Sequence, residues 1–304
     1  MKQYANAVKK RMIARYPAHL LGGKLAGGTP GEGERGYAHI FQRLEDNFPD
    51  GQYPATKRLK GTILDEPIPY YHAEHLTSPQ TMCISYFKKF FQRPEYECYL
   101  TAILEKMEVI LDDGEICDAG FAHQPDPREG NVFDCYFRLT NGQRLFWIAR
   151  FTEPSFGLLP KLRDGAERYV RNWEEVYSPM LEQCRYYDMP DVVCEEYCCL
   201  DTGGLGDCAM GDRCPIHEFY QYYQIWRSIL YARRWGDCVL FLSPMENQML
   251  EGERAYIREY ARRWHTRNIR SLYWEQLISV TLQTVREEPE LMDYYKAWRM
   301  KYFP

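Results

Sequence analysis

Apolar residues recur along this chain in two rhythms, one of three and four and one of two. Tyr96, Leu100, Ile103 and Leu104 fall on one face of a helix expected over residues 94–107, and Phe219, Tyr222, Trp226, Ile229 and Leu230 do the same over 217–235. Between them, residues 132–139 alternate and are rich in Val, Phe and Tyr. Asn141-Gly142 then supplies a turn, and 144–152 run apolar again. That pattern predicts a β-hairpin. Further strands are expected at 116–123, 239–244 and 269–274, and further helices at 2–16, 37–48, 251–264, 275–284 and 289–302. Ser78 is placed to cap a helix opened by Pro79, and a long helix at 158–187 should break near Ser178-Pro179. Strands alternating with helices imply an α/β fold with a mixed central sheet flanked by helices, preceded by an N-terminal helical extension.

Composition narrows the classes. With 304 residues, 45% hydrophobic and 27% charged, the chain reads as an ordinary globular protein. No apolar run is long enough to span a bilayer and the first residues form a basic amphipathic helix, so a cytoplasmic protein without a membrane partner is expected. A formal net charge of −5 makes no overall case for nucleic acid, so any such surface must be local. The arginines Arg254, Arg258, Arg262 and Arg263 in one helix offer such a surface. The Gly-rich stretch 22–36 lacks the Lys-Ser/Thr close of a phosphate-binding loop, and His72 and His75 do not have zinc-hydrolase spacing. Eleven cysteines without a secretion signal point to reduced thiols or metal ligands. Cys83, Cys98, Cys117, Cys135 and Cys238 are expected in the core. The cluster at 184–217 holds Cys198, Cys208, Cys214 and His217, a candidate structural Zn²⁺ set that lacks a Cys-x-x-Cys knuckle.

Within the first hairpin strand sits Asp134, a carboxylate that is costly there unless paired or put to use. The ordered set around it resembles the PD-(D/E)XK, restriction endonuclease-like, nuclease superfamily. It comprises Ser78-Pro79-Gln80 leading an aromatic helix, the Asp134 hairpin, a Thr-Glu and Phe-Gly tail at Thr152-Glu153 and Phe156-Gly157, and the Gln224-x-x-Arg227 helix. The resemblance implies a restriction endonuclease-like core, with residues 1–70 as an extension and 71–304 as the nuclease-like domain carrying a cysteine-rich insertion at 184–217. It also implies a Mg²⁺ (or Mn²⁺) ion held by Asp134. The family's Glu position is occupied here by Ile148, and its Lys position by Arg150. Isoleucine cannot ligate a hard cation, and arginine keeps a charge for phosphate but cannot act as a base.

Two function classes follow. The first is a metal-dependent DNA endonuclease, in which Asp134 holds the metal, Arg150 grips the scissile phosphate, and Glu129 or Glu153 replaces the missing carboxylate. Glu97 or Glu105 on the first core helix is a further acidic candidate, and Gln224, Arg227, Arg258 and Arg262 are candidates for the nucleic-acid surface. The second is an inactive pseudonuclease, binding nucleic acid or regulating, with Ile148 filling the old metal position. A zinc-held interaction module remains a third possibility, and oligomeric state is left open.

Overall fold

The protein was analysed as a computed structural model, which describes residues 2–23, 37–54, 56–63, 65–68, 73–110, 114–157, 172–184, 215–233 and 236–303. Its centre is a six-stranded mixed sheet in sequence order, β3 (Arg58–Lys60), β4 (Ile116–His123), β5 (Phe133–Leu139), β6 (Arg144–Ala149), β7 (Cys238–Ser243) and β8 (Ile269–Tyr273). The first four strands pair antiparallel, whereas β6–β7 and β7–β8 are parallel. Every residue of β7 is buried, as expected of a central strand in a sheet covered on both faces. The β5–β6 hairpin forms where the sequence places it. Gly142 sits at φ 88°, a left-handed position that glycine tolerates without cost, and the Gln143 amide donates to Asn141 Oδ1 at 2.9 Å.

Alternation along the strands divides the core in two. Phe137, Trp147 and Leu240 face a layer built from α2 (Pro79–Lys88), α3 (Glu97–Lys106) and, near the C-terminus, a helix pair at Trp274–Thr284 and Pro289–Tyr302. Phe146, Ile148 and Phe241 face the other layer, which includes Phe219, Trp226 and Tyr260. In that layer a π-helical turn at Trp173–Tyr177 runs into α4 (Ser178–Glu182), followed by α5 (Pro215–Gln221), α6 (Tyr223–Ile229) and α7 (Glu251–Arg263). The C-terminal pair is α8 and α9. The Ser78 hydroxyl accepts the Thr81 amide at 3.2 Å and caps α2.

Three expectations change. Residues 37–48 are not a helix: Tyr37–Phe41 is β2, paired with β1 (Leu21–Gly23), and Leu44–Asn47 is a 3₁₀ turn. The Phe41 amide donates to Glu74 O and the Leu76 amide to His39 O, so non-local backbone bonds override the local pattern. The helix expected at 217–235 is two, interrupted where Tyr222 adopts φ −111° and ψ 42°. At Ser178-Pro179 there is no break but a passage from π to α geometry, where proline supplies no amide to the ladder.

Described residues preceding position 70 join the same core. Val8 and Met12 of α1 (Lys2–Ile13) lie in the cluster with Trp298, and β3 closes the sheet edge. Cys83, Cys135 and Cys238 are buried, but Cys98 is exposed and Cys117 half-buried, a correction to their expected core placement. The rest of the Gly-rich loop after Gly23, His72, residues 158–171, Arg234, and Cys198, Cys208 and Cys214 with the side chain of His217 lie outside the described residues.

Candidate functional site

The site expected from the sequence lies at one end of the sheet, where β5 begins and β6, β7 and β8 end. The β5–β6 register runs from Arg138↔Arg144 to Cys135↔Trp147, and beyond it Asp134 takes over from the backbone. Its Oδ2 accepts the Ala149 amide at 2.8 Å, a bond that a strand carbonyl would make if the ladder continued. Arg150 Nη1 lies 3.5 Å from the same oxygen, with both side chains largely buried. Burial pushes the Asp134 carboxyl up, against the lowering effects of Arg150 and the Ala149 amide.

Arg150 is held mainly by carbonyls. Nε donates to Phe156 O at 3.0 Å, Nη2 donates to that oxygen as well, and Nη1 donates to Ala149 O at 2.7 Å. Its own amide continues the parallel ladder to Leu242 O, and its carbonyl accepts the Trp274 indole at 3.1 Å. The guanidinium therefore ties the 150–157 loop to the sheet end rather than projecting from it.

Glu153 closes the near side of that loop by accepting the Phe151 amide at 2.7 Å. Burial raises its carboxyl, the Phe151 amide and Arg150 lower it, and the Asp134 charge raises it further. A residue not singled out from sequence completes the group. Glu253, in the first turn of α7, accepts the Phe156 amide at 2.8 Å, and its carboxyl is also raised by burial and lowered by the Phe156 amide and Arg150. Its helix attracts notice for its arginines, and nothing in their spacing marks the glutamate. Asn247, wholly buried in the turn after β7, clamps the loop by donating to Phe151 O and Glu153 O. Three carboxyls are thus held up around one arginine.

Ile148, which the sequence resemblance matches to a Glu position, is buried in the apolar layer with Phe146, Phe156 and Phe241, and its register partner on β7 is Phe241. Glu129 is not beside Asp134 but in a separate buried clamp. Arg227 Nε donates to its Oε1, Tyr231 donates to Oε2 at 2.9 Å, and the Asn131 amide donates to Oε2 at 2.8 Å. Gln224 bonds Asn131 Oδ1 at 2.7 Å and packs against Gly157, where an added Cβ would sit 2.8 Å from the Gln224 side chain. Gln224 and Arg227 thus do reach this end of the sheet, where Gln224 Nε2 and Arg227 Nε and Nη2 are bonded to the protein itself.

The other candidates lie elsewhere. Glu97 pairs with Lys60 at the β3 edge, and Glu105 is exposed. On α7, Arg254 is buried and bonds Pro244 O at 2.9 Å. Arg258 pairs with Glu251 and Arg262 with Glu259, each at 2.6 Å. The helix is therefore a surface of paired charges rather than a bare basic one.

The fit to a divalent cation can be judged from the donors. Mg²⁺ takes hard oxygen ligands in near-octahedral geometry. Of the three positions matched to the superfamily motif, Asp134 alone offers one, while Ile148 is hydrocarbon and Arg150 is itself a cation beside that oxygen. Among the described residues no group of three or more His, Cys, Asp or Glu could hold a metal ion. The matched positions do not fit the metal site that the motif implies.

A family model described as Restriction Endonuclease associating with ARP matches residues 29–303 of the chain. No curated protein and no solved structure matches.

Proposed function

The chain belongs to that restriction endonuclease family, and from this premise we propose that it engages DNA at the Asp134 end of the sheet as a pseudonuclease, binding without hydrolysis. The nuclease-type fold is common to the family, whose restriction endonuclease-like members are typically Mg²⁺-dependent. One observation carries the inactive reading. Ile148, matched by resemblance to the ligand Glu, is buried hydrocarbon, and Arg150 lies beside Asp134. Ion pairs on the outer face of α7, at Arg258 and Arg262, support a binding role. Exposed pairs are weak because solvent screens them, so phosphates can replace the glutamates.

A second reading, a live metal-dependent nuclease, is favoured by Glu153. It lies in the 150–157 loop that Arg150 ties down, accepting the Phe151 amide, which makes it, rather than Glu129, the better candidate for a displaced carboxylate. Under this reading the chain's own residues would orient the phosphate through Arg150 and hold the metal through Asp134 and Glu153. Supercoiled plasmid with Mg²⁺ or Mn²⁺ separates the two. The pseudonuclease reading expects no nicking by the wild type and nicking gained in Ile148→Glu. Wild-type nicking that is lost in Asp134→Ala and in Glu153→Gln would establish the live enzyme instead.

Residues 1–70 are proposed as an extension wrapped on the 71–304 domain. The family description also names an association with ARP, and we extend that partner to this chain. Co-elution of the two from size-exclusion chromatography supports the extension, and separate elution at micromolar concentration removes it.

A further inference from the structure

A cavity of about 410 Å³ opens on the β3–β4–β5 side of the sheet, and neither the superfamily motif nor the loop around Arg150 uses it. Its volume lies in the range of small-ligand sites. Tyr136 and His123 form an aromatic wall, with ring centroids 4.1 Å apart and planes at 23°. Ile63 and Gln124 contribute an apolar flank and an amide that both donates and accepts.

The cavity is built rather than incidental. At Gly120 a Cβ would meet Lys57 O at 2.8 Å and Ile63 at 2.9 Å, so a larger residue there would push the β3 side away from β4. Ala122 carries φ 47° within β4, just before His123. A non-glycine residue in that region is strained, and here the strain sits where the wall turns.

Its charges select the class of ligand. Lys57 is paired with Glu66 at 2.8 Å, and Asp118 is paired with Arg138 and bonded to the Thr62 hydroxyl at 3.0 Å. With its ions already matched, the cavity suits a neutral planar group with edge donors and acceptors more than a phosphate. Burial, helped by Arg144 and Lys57, pushes the His123 imidazole down to about 4, so at neutral pH the ring is uncharged and its nitrogens offer one donor and one acceptor.

The cavity is next to the candidate site. His123 is the register partner of Phe133, the residue before Asp134, and Tyr136 lies two residues beyond Asp134 on β5. Neighbouring strands are about 4.8 Å apart, so the His123–Tyr136 wall lies within one strand of the Asp134 position.

We propose that this cavity is a subsite for one unpaired nucleobase, stacked on the His123–Tyr136 wall and bonded at its edge by Gln124. The proposal rests on the nucleic-acid reading above and adds to it the form of nucleic acid engaged, a single-stranded or extruded nucleotide.

The test uses a dye-labelled single-stranded oligonucleotide containing one 2-aminopurine, titrated with the full chain. Anisotropy reports binding, and 2-aminopurine emission reports the environment of that base. Ile63→Trp fills the cavity, and Gln124→Leu, at an exposed position, provides a second variant least able to disturb folding. The proposal expects a wild-type anisotropy rise with a change in base emission. Both variants should lose the emission change and bind roughly 5- to 100-fold more weakly, the range for loss of one stacked base. An anisotropy rise with base emission unchanged, or changed equally in wild type and variants, overturns the subsite and leaves the nucleic-acid reading standing. No anisotropy rise with the single strand overturns the subsite, and no rise with a dye-labelled duplex of the same sequence overturns the nucleic-acid reading as well.

Discussion

Two carboxylate–arginine pairs stand at this end of the sheet and differ in almost every respect. Around Glu129 both side-chain oxygens are engaged, by Arg227, by the Tyr231 hydroxyl and by the Asn131 amide, and the Arg227 guanidinium also stacks on Tyr223 at 4.9 Å. Around Asp134 one oxygen serves both the Ala149 amide and, at 3.5 Å, Arg150, while two further carboxyls crowd the same arginine. The first is a finished structural clamp. The second gathers three carboxyls, each raised by burial, around one arginine. A buried ion pair is sound only when its remaining hydrogen-bonding capacity is met, and groups that burial holds away from their ordinary titration range mark functional sites more often than frameworks.

Mutation should separate the two, starting with the largest effect. Glu129→Ala leaves Arg227 buried without its partner and should destabilise the fold by about 3–5 kcal/mol, measured by chemical denaturation. A loss below about 1 kcal/mol would show that the clamp is not structural.

Ile148→Glu comes next. A carboxylate placed among Phe146, Phe156 and Phe241 should cost on the order of 3 kcal/mol without metal. Part of that loss should return on adding Mn²⁺, because a ligand that binds only the folded state stabilises it. Denaturation with and without Mn²⁺ checks this, and equal loss in both would mean that Ile148 does not stand at a ligand position.

The pH dependence is smaller. His123 is depressed from an ordinary 6.5 to about 4, and His39 is held as low by burial, Lys9 and His75. Between those pH values the unfolded chain binds protons that the folded chain refuses, so these groups remove stability as pH falls from 6.5 toward 4. The raised carboxyls of Asp134, Glu153 and Glu253 act in the opposite sense, favouring the fold as they protonate. His123→Phe keeps the stacking and removes one titration. Melting temperature against pH should therefore fall less steeply across that window than in the wild type, and an unchanged slope would remove His123 from the account.

The smallest effect is expected at Asp134. Asp134→Asn retains an oxygen for the Ala149 amide and discards a charge that the site holds at a cost, so stability should shift by less than about 1 kcal/mol. A loss comparable to that of Glu129→Ala would erase the contrast between the two pairs.

Much of this arrangement could be read from the chain. The hairpin, the Ser78 cap and the alternation of strands and helices are signals local to a few residues, and they survive folding intact. What escaped was non-local. The β1–β2 pair is fixed by backbone bonds to Glu74 and from Leu76, which no periodicity within 37–48 reveals. Glu253 reaches the site because α7 packs over the 150–157 loop, roughly a hundred residues distant in sequence. The arginines of that helix were visible, but their partners Glu251 and Glu259 turn a basic stripe into a paired surface. The burial of Ile148, by contrast, was legible at once, because the strand's own alternation sets which face it takes.

The central claim is that Arg150 and Ile148 leave Asp134 without a metal site. Mn²⁺ titrated into the wild type, Asp134→Ala and Ile148→Glu by calorimetry tests it directly. The account predicts no saturable site tighter than about 1 mM in the wild type and a stoichiometric one in Ile148→Glu. A stoichiometric wild-type site that vanishes in Asp134→Ala would contradict it.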